Sequence, residues 1–109
     1  MSRPSRTRGS IPIACTLDTE SLAGRTDEWR QFVASSVVAV ETDDTSVKLV
    51  LDETEDALVA AASLGAREKA CCAFFDVSIE INADWRALRL SVPTGAEEAL
   101  AAFVALVLS

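Results

Sequence analysis

Three cysteines pose the chemical question: Cys15 in "IPIACTL", and the adjacent Cys71 and Cys72 in "REKACCAFFDVSIEI". Thiolates are soft ligands, and three of them converging in a dry pocket suit As(III), Hg(II), Cu(I) or Zn(II). Trigonal coordination suits As(III) in particular, whereas adjacent cysteines make a poor linear pair for mercury. Glu68 lies one helical turn before the pair, where the pattern calls for an apolar residue. A carboxylate there costs desolvation free energy unless it is paired or functional. It could accept a proton from a thiol, or hold Arg67, Arg86 or Arg89. The expected metal ligands are therefore Cys15, Cys71 and Cys72, with Glu68 as the group behind them.

Two other readings use the same residues. Free cysteine is also a small core residue, and a Cys-Cys dipeptide lacks the ligand spacing of two CxxC pairs. In that case the chain is a small-molecule-binding or helper domain, its cysteines are packing, and Phe74 and Trp85 line its pocket. The third reading is a thiol enzyme or redox sensor in which Cys71 or Cys72 reacts. It needs a lowered thiol pKa, and only Lys69 or an arginine lies close enough in sequence to supply one. Binding is favoured over catalysis. The chain has no His and no Tyr, which removes Ser–His–Asp, Cys–His and His-ligated metal chemistry from a single chain. No Gly-rich phosphate loop is present, so no nucleotide cofactor is expected.

The elements that would position these groups are read from periodicity. Ile11, Ile13, Cys15 and Leu17 alternate with Pro12, Ala14 and Thr16, which describes a strand with Cys15 on its buried face. "TDEWRQFVASS" reads as a helix capped at Thr26, with Trp29, Phe32 and Val33 on one stripe. "VVAVET" and "SVKLVLD" read as a hairpin around Asp43, Asp44 and Thr45. Asp52 with Glu55 suggests a capping box for a second helix. The inward stripe of that helix runs through Leu58, Ala61, Leu64 or Gly65, Glu68, and Cys71 or Cys72. Phe75, Val77, Ile79 and Ile81 then alternate along a strand that turns at Asn82–Asp84 into "WRALRLSV". Thr94 and Glu97 open a last amphipathic helix through Leu100, Phe103, Val104 and Val107. The order is βαββαββα, an α+β fold with an antiparallel sheet and its helices on one face.

The 109 residues, half of them apolar, suit one domain with a single core. Residues 1–10 carry Arg3, Arg6 and Arg8 without apolar periodicity and read as a disordered basic tail, which leaves 11–109 as the domain. The formal charge of −7 argues against a nucleic-acid partner held by a basic face. There is no secretory leader and no run of about 18 apolar residues, so the expectation is a cytoplasmic chain with no membrane contact. Its thiols should then be reduced. An exposed edge strand and an apolar final helix would allow a homodimer.

"IACTL", "RTDEWRQF" and "REKACCAFF" together resemble a group of small actinobacterial proteins. That group carries a Cys-Thr-Leu strand, an Arg-x-x-Glu-Trp helix and a Glu-x-x-Cys-Cys-x-Phe segment. The module occurs beside or fused to regulators of the mercury-responsive MerR type. The likeness spans about residues 11–105 and implies heavy-metal resistance or another thiol-related role, with Cys15, Glu68, Cys71 and Cys72 as the site. Ala73 stands where that pattern often has Pro. No DNA-binding helix pair precedes the module, so direct regulation by this chain is not expected.

Overall fold

The computed structural model describes residues 19–72 and 74–108. The elements run α1 (Thr19–Ser36), β1 (Val37–Thr42), β2 (Ser46–Leu51), α2 (Glu55–Cys71), β3 (Asp76–Ile81), β4 (Arg86–Ser91) and α3 (Glu97–Leu108). This is an α+β chain with a four-stranded antiparallel sheet in the order β1-β2-β4-β3. The described order is αββαββα, not the βαββαββα expected. The stretch assigned to the leading strand, with Cys15, lies outside the described residues, as does the basic tail.

The hairpins form where their turn residues permit. Asp43 Oδ1 accepts from the backbone N–H groups of Thr45 and Ser46, at 2.9 and 2.8 Å. The carboxyl stays below its usual range because these bonds favour the ionised form. Asn82 Oδ1 does the same for Asp84 and Trp85, at 2.8 and 2.9 Å. Side chains thus satisfy the backbone where the ladders end.

Helix starts differ from the sequence reading in instructive ways. Helix α1 begins at Thr19, so Thr26 lies inside it and is no cap. The helix formers Leu22, Ala23 and Arg25 outweigh Gly24 in that first stretch. Thr54, not Asp52, caps α2, its Oγ1 accepting from Ala57 N–H at 3.1 Å. Asp52 instead accepts from Glu53 N–H at 2.7 Å. Before α3, Glu97 reaches back to Gly95 N–H at 2.8 Å, and Gly95 holds φ at 104°, a conformation glycine adopts without strain.

Val47, Leu49 and Leu51 of β2 and Leu88 and Leu90 of β4 are buried, so the two central strands carry the floor of the core. Trp29, Phe32, Phe75 and Phe103 fill the layer above it. The Trp29 ring stands edge-on to Phe32 and Phe103, with centroids 5.9 and 5.2 Å apart, a favoured geometry for aromatic quadrupoles. Helix α2 comes close to the sheet at Gly65. A Cβ there would sit 2.8 Å from Val77 Cγ1, closer than packed atoms tolerate.

The alternation expected in β3 is present, but its burial is not. Ile79 is 36% exposed and Ile81 62%. Among the described strands β3 has one neighbour, β4, so its outer flank lacks the cover the central strands enjoy. Burial therefore follows strand position more than residue type. Leu88→Ala should cost about 2–5 kcal/mol and Ile81→Ala less than about 1 kcal/mol in urea unfolding. Equal costs would contradict this strand order.

Candidate thiol site and its carboxylate

The end of α2 carries the chemistry. Ala57, Ala61, Leu64, Gly65, Glu68 and Cys71 form its buried stripe, as the spacing suggested. Glu68 is only 6% exposed. Its partners are not Arg67, Arg86 or Arg89. Trp29 Nε1–H donates to Glu68 Oε1 at 2.9 Å, and Arg25 Nη1 lies 3.7 Å from the same oxygen. Arg67 instead grips Glu28 through Nη1, at 3.1 and 3.0 Å. Arg89 holds Glu80 at 3.0 Å on another part of the sheet. The reason is rotational: Arg67 lies one residue before Glu68 on the helix and therefore points about 100° away from it.

Arg25 and Trp29 are four residues apart on α1 and so share the face that meets α2. That spacing, together with a carboxylate misplaced on an apolar stripe, was the available signal for their pairing. Arg25 Nη1 is buried and has no hydrogen-bond partner among the described residues. Its guanidinium serves the carboxylate as a charge, while Trp29 supplies the short bond. A charge-assisted bond of this kind contributes about 1.5–3 kcal/mol, and leaving the carboxylate without it costs at least as much.

Cys72 follows at the helix end and is fully buried. Its backbone N–H donates to Glu68 O at 2.7 Å, and its thiol lies 3.8 Å from Cys71 Sγ with the hydrogen directed there. Burial pushes the thiol pKa up to about 12; the nearby Glu68 carboxylate adds to the rise, and Arg25 opposes it. Cys71 is disulfide-bonded and Cys72 is free. The expectation of three reduced thiols thus holds at Cys72 and not at Cys71. The compartment argument addresses redox poise, not which sulfurs meet. Among the described residues no three His, Cys, Asp or Glu side chains are grouped to hold a metal ion. Cys15, the third expected ligand, lies outside the described residues.

The two aromatic residues assigned to a pocket part company. Phe74 is half-buried with its ring 4.9 Å from that of Phe75, packed against the core. Trp85 lies far along the sheet, under Lys48 Nζ at 3.8 Å, and donates Nε1–H to Glu80 at 3.3 Å. They line no common cavity among the described residues. A separate groove of about 380 Å³ runs between the β1–β2 turn and α3, with Asp43, Asp44, Glu97, Leu100 and Val104 on its walls. No helix among the described residues is long and apolar enough to cross a membrane.

Compared with family models, curated proteins and solved structures, the chain matches none of them.

The raised thiol pKa has a thermodynamic consequence with a definite sign. The native state holds the Cys72 proton more tightly than the unfolded chain, whose thiol titrates near 9.0. The stabilisation is complete below that value and is lost as pH rises toward about 12. In that window stability should fall by up to about 1.4 kcal/mol per pH unit more than in Cys72→Ala. Denaturant melts of both proteins across the alkaline range measure it. Parallel slopes would show that burial does not raise the Cys72 pKa in the native state.

Proposed function

We propose that this chain, with Cys71 reduced, binds a soft metal or metalloid ion through cysteine sulfur. Cys71 and Cys72 are the core of the site, Cys15 is the third ligand, and Glu68 stands behind them. The observation that carries this reading is the 3.8 Å separation of the two sulfurs. That is less than twice the ~2.3 Å bond sulfur makes to such an ion, so one ion can bridge both. Buried sulfur donors at the end of α2 favour a soft ion over a hydrated hard cation.

A second reading has its own support. Cys72 is 0% exposed and held as a thiol, which is how a packing cysteine behaves. On that reading the chain is a helper or small-molecule-binding domain, and the groove by α3 is the place to look for a ligand. The same feature speaks against Cys72 as a nucleophile, since the thiolate is the reactive form.

Native mass spectrometry of the reduced chain, titrated separately with Hg(II), As(III), Zn(II) and Cu(I), separates the two. The metal reading expects one tightly held ion per chain, lost in Cys71→Ser and weakened at least about tenfold in Cys15→Ser. The packing reading expects no retained ion, with Cys72→Ser lowering stability by about 1–3 kcal/mol through a buried hydroxyl without full hydrogen bonding.

A further inference from the structure

We propose that two copies of this chain pair about a twofold axis through α3, with the helices antiparallel and Glu98 of each copy against Arg30 of the other. The thiols take no part in this surface, so it stands apart from the metal reading.

Helix α3 is unusual for a helix at the surface. From Ala99 to Leu108 it carries no charged or polar residue. Ala99, Leu100, Phe103 and Val107 belong to the buried side. The other side is apolar too: Ala101 and Ala105 are exposed, and Leu106 is 39% exposed. A helix with one face in water ordinarily turns charged or polar residues outward. Exposed apolar surface of this kind marks a place of association.

Charge identifies what associates. Glu98, Ala102 and Leu106 stand four residues apart and share one ridge of the helix. The ridge is acidic at its start, where Glu98 is exposed. It is basic at its end, where Arg30 Nε donates to Leu106 O at 2.8 Å. Among the described residues neither Glu98 nor Arg30 has an ion-pair partner. Leu106 lies eight residues beyond Glu98, about 12 Å along the helix. Acid, a small apolar residue, a large apolar residue and base thus follow one another along a single line.

Such a line is complementary to itself when reversed. A twofold axis at Ala102 sets the ridge of one copy antiparallel to that of the other and makes each contact twice. Ala102 meets Ala102, which is small enough to let the helix axes come close. Leu106, with Arg30 anchored on its carbonyl, arrives at Glu98 of the second copy. Copies of net charge −7 repel one another, and a parallel pairing would add carboxylate against carboxylate. The antiparallel pairing puts acid on base. The basic tail of the same chain is the rival occupant. Its sequence "MSRPSRTRGS" brings cations for Glu98, but no carboxylate for Arg30 and little apolar surface for Leu106. A second copy brings all three.

Sedimentation velocity of the whole chain, from micromolar to millimolar concentration, should show a reversible monomer–dimer equilibrium. Arg30→Glu and Glu98→Arg should each weaken the dimer at least about tenfold, because like charges then meet twice. Mixing those two variants in equal amounts should restore a dimer that holds one copy of each, resolved by native mass spectrometry. Leu106→Asp should leave a monomer. Recovery on mixing requires that both variants are folded. A chain that stays monomeric at every concentration overturns the inference. So does a dimer indifferent to the charge reversals, or one that mixing fails to restore. A chain that dimerises only once residues 1–10 are removed assigns the face to that tail and overturns it too.

Discussion

The carboxylate of Glu68 is the constraint around which this fold is arranged. It sits on the buried stripe of α2, where every other residue is apolar or small. A lone carboxylate there would cost several kcal/mol. Trp29 and Arg25 remove most of that cost, and both come from α1. The pairing therefore fixes how α1 lies across α2. The same indole meets Phe32 and Phe103 edge-on, which ties the polar junction to the aromatic layer and to α3. One buried ionic contact thus sets the mutual placement of three helices. Apolar side chains alone could be exchanged across such a layer with less loss of register.

That arrangement creates a tension at the helix end. Burial keeps the Cys72 thiol protonated, and the Glu68 carboxylate adds to that effect. Cys71 lies one residue away, with its sulfur in reach. A catalytic thiol would sit near a cation or a helix N-terminus, which lower its pKa. Here the pair closes a helix C-terminus, where the macrodipole also disfavours a thiolate.

Much of this was legible in the sequence, for reasons that can be assigned. The period of two in "SVKLVL" and "RALRLS" marked the central strands, and its apolar positions Val47, Leu49, Leu51, Leu88 and Leu90 are buried. Asn82 and Asp43 gave the turns, since their side chains complete them locally. The same alternation in "DVSIEI" overstated burial, because periodicity reports which face a residue shares and not whether anything covers it. Helix starts were misread where more than one residue could cap, as at Asp52 and Thr54. The placement of Glu68 on the inward stripe was correct. Its partners were missed because pairing across two helices depends on how they cross, which no single segment encodes. Trp29 was read as core, which it is, without its second role as donor.

The central claim is that the two sulfurs beside Glu68 hold one ion together. X-ray absorption fine structure of the reduced chain loaded with one equivalent of arsenic tests it most directly. The account predicts a first shell of two or three sulfurs with at most one oxygen, unchanged when Glu68 is replaced by Gln. A shell dominated by oxygen, or arsenic that washes out before the spectrum is taken, would contradict it.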